Sequence, residues 1–540
     1  MSNLAEPRHG SHRDMTQTYG RELDSLLEQG VYKPLFLYHV LILMFLPLLG
    51  LLVPSSKGGF YVRRGVFVLC TFLTIDVFRT RRAAIAGNGY VIGSMTGWWL
   101  VWIATLLVFT DHEHDFRRIE RKPTYLQRQN HCQRSDKAEM LCAASGAAGD
   151  NRLVANSTLS NSILKQLENK DRYVWQSYPE QISHRFRWCA GLLFSFRGPE
   201  WNWRAPSLGP VPRSVHAQLH SGFSSAIPQD SAYISGKVYT RALFLKFLRY
   251  YLILDFIKVL MMRDPYFRGT GSTESAPSLF PFSYLPAHIL LVRFYHHFLG
   301  SVSLMVTLKL FASLSPICFL GLSFAFTNVT RKLTTTPLNE PWLYPDAFGP
   351  FSQVFDRGLA GAWGQWWHQF YRFGFTVTAR KILSILPVSL GTNLLVRRVT
   401  HVVVAFFISG LLHAGGSHMQ LANTCPLSGP FLFFLLQGIA IMAEQVFKWL
   451  LLPKLPLADA PQWLSRGTNF LFVFCCLVFS GGLIVDDAAK GGLLLIEPIP
   501  ISPLRGLGLG QHGEGWWCWK GPWFRYWNDG TYWGSGIIVL

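Results

Sequence analysis

The stretch from Leu35 to Val53 contains no Asp, Glu, Lys or Arg. At 1.5 Å of rise per residue, a helix of that length crosses the ~30 Å hydrocarbon core of a bilayer. A backbone in that medium finds no water, so it must satisfy its own polar groups as a helix or as a closed barrel. Further apolar runs occur at Gly65 to Phe78, Tyr90 to Phe109, Ala242 to Met261, Gly300 to Phe326, Phe431 to Leu452 and Asn469 to Val485. They are predominantly apolar, with Asp255 and Lys258 inside the Ala242 to Met261 run. The chain therefore reads as all-α: a polytopic transmembrane helical bundle of about seven to nine spans, with a large extramembrane loop and an internal tunnel.

One region resists division into spans. Arg397 and Arg398 interrupt the apolar residues between Ile382 and Ala414, leaving two pieces that are short for straight crossings. Broken or re-entrant helices persist at membrane depth only where protein or a wet cavity surrounds them, so a tunnel is expected here. The polar stretches divide the rest. Residues 1–109 hold a tail and three spans, 110–241 a large extramembrane loop, 242–485 the membrane core, and 486–540 an aromatic-rich interfacial segment. Disorder is expected around Ala143 to Asn161. The loop also carries Arg197-Gly198-Pro199-Glu200-Trp201-Asn202-Trp203-Arg204, a mixture suited to the membrane interface, where indoles meet headgroups and arginines meet phosphates. The C-terminal tryptophans from Trp516 to Trp533 read as an interfacial anchor or as the lining of an access path.

A net charge of +19 over 540 residues raises nucleic acid as a partner. The basic residues, however, are scattered at the ends of apolar segments, a distribution suited to anionic headgroups or an acidic cosubstrate. Lys57, Arg63, Arg64, Arg117, Arg118, Arg121, Lys122, Arg331, Lys332, Arg380 and Lys381 all fall on one side of the expected bundle, which the positive-inside rule makes cytosolic. Arg79, Arg81 and Arg82 oppose them, and sugar on the sequon Asn156-Ser157-Thr158 would reverse the assignment. The nine cysteines show no disulfide framework.

His413 closes the apolar run that starts at Val402, and His368 lies in the cluster Trp363-Gly364-Gln365-Trp366-Trp367-His368-Gln369. Ionisable groups at membrane depth mark function by default. An apolar enclosure keeps an imidazole neutral and able to accept a proton, the requirement for a general base that activates a hydroxyl. His413 is the expected base. His368 or Gln369 is expected to position the acyl carbonyl or donate to its oxyanion, within walls that include Trp363, Trp367 and Ser409. Glu444 either orients His413 or pairs with Lys448, and Asp255 is expected to pair with Lys258, three residues along the same helix face. Asp111-His112-Glu113-His114-Asp115 has metal-ligand residue types near Cys132 and Cys142 but no closed zinc spacing, and no metal is assigned. A proton-coupled transporter using His413, Asp255 and Glu444 as a relay is a competing reading, although no inverted repeat supports it. A membrane scaffold is another.

The segment Trp342-Leu343-Tyr344-Pro345-Asp346-Ala347-Phe348-Gly349, then Ala362-Trp363-Gly364-Gln365-Trp366-Trp367-His368-Gln369-Phe370-Tyr371-Arg372, resembles the signature of the fungal wax synthase-like membrane-bound O-acyltransferases. Phe406 to His413 is similar to that family's F-x-x-S-G-x-x-H segment, and Arg197 to Trp203 to its earlier R-G-x-x-W-x-W element. Ala362 and the Tyr344 to Ala347 spacer depart from the family pattern. The resemblance implies an acyl-CoA-dependent O-acyltransferase with His413 and His368 in its site and no bound cofactor. Acetyl-CoA is the preferred donor and a terpenoid, meroterpenoid or polyketide alcohol the acceptor, with long-chain wax ester synthesis as the alternative. Arg372 and Arg380 are candidates for the CoA phosphates, and the endoplasmic reticulum membrane is the expected location.

Overall fold

The computed structural model describes residues 12–122, 172–220, 236–269, 289–454, 461–511, 513–519 and 521–540. Among the described residues eight long helical segments make up the bundle: Leu37–Leu52, Gly59–Thr80, Tyr90–Phe109, Gly236–Arg263, Ile289–Ala325, Leu394–Met419, Leu427–Lys454 and Gln462–Lys490. Five are long and apolar enough to cross a bilayer: Tyr90–Phe109, Leu290–Ala325, Leu394–Met419, Leu427–Lys454 and Gln462–Lys490. The Leu37–Leu52 helix is apolar but short. The protein is an all-α, multi-pass membrane protein. The expected disorder at Ala143 to Asn161, the Asn156 sequon, Cys132 and Cys142 lie outside the described residues.

Glycine sets how closely the helices approach. Antiparallel helices Tyr90–Ala104 and Leu394–Met419 meet where a Cβ on Gly93 would collide with the Gly415 carbonyl, and one on Gly416 with Ser94 and the Tyr90 carbonyl. Such contact fixes the register of Tyr90 against the turn that carries His413. A buried core containing Trp98, Trp102, Trp188, Trp201, Leu412 and Met419 lies on one side of the Leu394–Met419 helix. A second, containing Leu359, Ala362, Phe406, Phe433, Phe434 and Ile441, includes its Phe406 face. The helix thus belongs to both cores.

The break expected at Arg397 and Arg398 falls earlier. Pro387 follows the helix Arg372–Ile385, a single turn occupies Val388–Gly391, and Asn393 caps the next helix by accepting from the amides of Leu395 and Val396 at 2.9 and 3.2 Å. The helix then runs unbroken from Leu394 through both arginines. They sit in its first turns, where a long side chain can reach the interface, and Arg398 lies 4.5 Å from the Trp449 ring centre. A cap and a proline outweigh two charges that can leave the apolar layer.

Asp255 and Lys258 are both buried, but they do not pair. Asp255 accepts from the Ser502 hydroxyl and, at 3.0 Å, from the Leu504 amide, while Lys258 donates to the Leu494 carbonyl at 2.8 Å. Each therefore pins the segment after the last helix, whose backbone offers partners nearer than a neighbouring side chain. That segment ends in the antiparallel pair Phe524–Trp527 and Gly536–Val539, and the Val539 amide donates to the Leu35 carbonyl at 2.8 Å.

The Arg197 to Arg204 segment is also tied inward. Trp201 is buried edge-on to Trp188, Trp203 stacks on Phe373 at 4.2 Å, and Arg197 donates to the carbonyls of Pro345 and Asp346. The expected indole contacts with headgroups are replaced by protein contacts, because the short helix Ile182–Leu193 brings Trp188 over the segment. Around residue 112, Asp111 caps the Glu113 amide and bonds His114, Glu113 accepts from Ser55 and pairs with Arg63, and His112 meets the Leu51 carbonyl at 3.1 Å.

Gly93→Ala is expected to overpack the helix contact and cost about 1–3 kcal/mol. A lower melting temperature of the purified protein in detergent, with a change in the aromatic near-ultraviolet signal, checks it.

Candidate active site

The segment carrying His368 is non-helical and packs against mid-helix residues. The helix Ser352–Gly361 passes through Gly358 at φ +67°, a wide turn spans Ala362–Trp366, and the chain is extended at Trp367 before a helix starts at Arg372. At this depth its polar groups need protein partners, and three side chains supply them. Glu444 accepts from the amides of Leu359 and Ala360, both at 3.1 Å, and pairs with Lys448 at 2.9 Å. Gln369 donates to the carbonyls of Trp363 and Trp367 at 3.0 and 2.6 Å. Arg372 donates to the Gly364 carbonyl and to Gln369 Oε1. Gly358 is required on two counts: its φ is left-handed, and a Cβ there would overlap Glu444 Oε1.

Glu444 thus holds the segment and its partner is Lys448, so it does not orient His413. The ring is oriented by its own helix: His413 Nδ1 lies 2.8 Å from the Ser409 carbonyl. A carbonyl only accepts, so the proton of a neutral ring sits on Nδ1 and Nε2 keeps its lone pair. Ser409 contributes through its backbone. The His413 ring lies 4.4 Å from that of Phe434 and meets Tyr90 edge-on at 6.5 Å.

His368 stands among Phe348, Trp367, Phe370 and Tyr371, with ring centres 5.2–6.2 Å away. Its Nδ1 is sheltered from solvent and has no protein hydrogen-bond partner. Trp363 joins the two halves: it contacts Trp367, Phe406 and Phe434 and donates to Gln437 Oε1 at 3.1 Å. Gln437 in turn donates to Ser480 at 2.8 Å.

His413, His368, Trp363 and Trp367 are therefore brought together. Gln369 and Arg372 frame the segment, with the Gln369 amide hydrogens already engaged and the Arg372 guanidinium turned onto backbone instead of toward a phosphate. Arg380 is exposed two helical turns further on. Asp255 and Glu444, two members of the transporter reading's relay, close separate joints, and neither is hydrogen-bonded to His413. Tyr90 and Tyr371 are additions that the sequence analysis missed. Tyr371 follows the histidine motif by three residues and was within reach of inspection, whereas Tyr90 opens a remote helix and gives no local signal. Among the described residues no group of three metal-ligating side chains converges.

Residues 344–436 match the family model described as Membrane bound O-acyl transferase family, a range that includes both histidines. Acetyltransferase eriL of Hericium erinaceus is 27% identical over 200 residues, 35% of this chain and 48% of that protein. O-Mevalon transferase yanI of Aspergillus niger is 25% identical over 284 residues, 50% of this chain and 54% of its own length. O-Mevalon transferase macI of Penicillium terrestre reaches 34% over 116 residues, 20% of this chain and 26% of that protein. The chain spans about half the length, or less, of these curated relatives. No solved structure matches.

Glu444→Gln is expected to leave Lys448 unpaired and turn an amide donor against the amides of Leu359 and Ala360, destabilising the protein by about 3 kcal/mol. Melting in detergent measures the loss, and Lys448→Met should cost less because the ammonium is 27% exposed.

Proposed function

We propose that this chain, which belongs to the membrane-bound O-acyltransferase family, transfers an acetyl group from acetyl-CoA to a hydroxyl of a lipophilic secondary metabolite of the terpenoid, meroterpenoid or polyketide class. The reading puts it in the endoplasmic reticulum membrane. One observation carries it: the Ser409 carbonyl engages His413 Nδ1 and so leaves Nε2 as a lone pair, inside an aromatic enclosure that Phe434, Trp363 and Trp367 extend to a second histidine, His368. That is the state a general base needs before it acts. The acetyl donor is taken over from the name of the Hericium relative, and the acceptor class from the family resemblance.

In the proposed reaction the acceptor oxygen attacks the thioester carbonyl as its proton passes to His413 Nε2. The tetrahedral intermediate collapses, the C–S bond breaks, and His413 returns the proton to the leaving CoA sulfur. The oxyanion needs donors fixed in advance. Gln369 cannot serve without releasing Trp363 or Trp367, so His368 and the hydroxyls of Tyr371 and Tyr90 are the donors in this mechanism. Tryptophan and phenylalanine exclude the water that would otherwise take the acyl group.

Purified protein given acetyl-CoA and a cell extract should add an acetyl mass to lipophilic products. His413→Ala should lower turnover by about 10²–10⁴ with abundance unchanged; full activity in this variant would end the reading. Tyr371→Phe keeps the ring and removes one donor, so kcat should fall by about 10²-fold with KM nearly constant. A panel of acyl-CoAs of increasing length separates acetyl transfer from wax ester synthesis.

A further inference from the structure

Lys309 lies near the middle of the 37-residue helix Ile289–Ala325, where an ammonium is costly and marks function by default. It has no carboxylate partner among the described residues. Its contacts are with rings: the Nζ is 5.7 Å from the centre of Tyr250 and 5.3 Å from that of Phe348. The cation lines a small cleft, with about 40 Å³ of water-accessible space, between the helices Gly236–Arg263 and Ile289–Ala325 and the irregular stretch 344–348. Phe348 forms its inner wall and is also edge-on to His368 at 6.2 Å. The cleft and the histidine site therefore share one side chain.

The other charges of the cleft are accounted for. Lys246 pairs with Asp346; Arg197, outside the lining, is bound to the carbonyls of Pro345 and Asp346 and lies 4.9 Å from the Phe370 ring centre. Ser313 donates to the Leu310 carbonyl, and Tyr344 to that of Leu338. Among the described residues that line the cleft, Lys309 is the cation without a carboxylate partner. Aromatic faces hold an ammonium weakly and leave its hydrogen-bond donors free.

We propose that the Lys309 cleft receives an anionic oxygen group, carboxylate or phosphate, of one of the two substrates, and so sets where that substrate lies relative to His368. An acidic acceptor alcohol and the phosphorylated end of the acyl donor supply the same chemistry. The proposal rests on the acyl-transfer reading for the identity of these ligands. Its test is binding rather than turnover, so the two fail separately: absent turnover sinks the acyl-transfer reading, whereas absent charge preference sinks this one.

CoA against pantetheine, and a long-chain hydroxy acid against its methyl ester, are titrated into the detergent-purified protein. In one of the two pairs the anionic member should bind about tenfold tighter or more, the usual worth of a charged hydrogen bond, and the pair that shows it identifies the substrate. Lys309→Met should abolish the preference at unchanged melting temperature, and Lys309→Arg should retain it. Equal binding within both pairs, or a preference that survives Lys309→Met, overturns the proposal. If Lys309→Met fails to fold, the wild-type comparison and Lys309→Arg still decide, since a charge preference absent from both proteins refutes it.

Discussion

The site depends on a short stretch of non-helical backbone, Trp367 to Tyr371, that follows the wide turn Ala362–Trp366 and is held among helices where water is scarce. Every amide and carbonyl there that lacks a partner costs several kcal/mol. Glu444 accepts from one end, Gln369 donates to two carbonyls inside, and Arg372 ties Gln369 to Gly364. A polar network in a low-dielectric interior is stabilising only when its members are satisfied together. The residues around His368 therefore divide into those that keep the loop in place and those that surround the imidazole.

The other half of the site comes from regular structure. His413 sits on a helix whose neighbour approaches at glycine, and that closeness puts the Tyr90 ring against it. A helix gives its histidine a ready acceptor in the carbonyl four residues earlier, which fixes the ring's tautomer without a carboxylate. The arrangement pairs one imidazole held by a rigid helix with one held by a braced loop.

Much of this was legible in the chain. Continuous apolar runs located the helices, since nothing else buries so many such residues in sequence, and two histidines with tryptophan neighbours stood out because an imidazole is expensive there. Partners were less legible. Asp255 and Lys258 share a helix face, yet both turn to backbone some 240 residues on, a competition that spacing cannot weigh. Glu444 and Lys448 do pair, but the carboxylate's larger role lies with Leu359 and Ala360, which no periodicity connects to it. The break near residue 397 was misplaced because arginines look disruptive until one sees that they occupy first turns with room to reach outward.

By itself the sequence determined the fold class, the neighbourhoods of the helices and the two imidazoles, because hydropathy and the cost of burying charge act locally along the chain. The tertiary structure decided which carbonyl and carboxylate each polar group meets, that Gln369 and Arg372 brace a loop while Tyr90 and Tyr371 flank the histidines, and that Lys309 faces a cleft with no carboxylate partner among the described residues. Those outcomes depend on distances between segments remote in sequence, and hydrogen bonds and ion pairs are decided by ångströms in space.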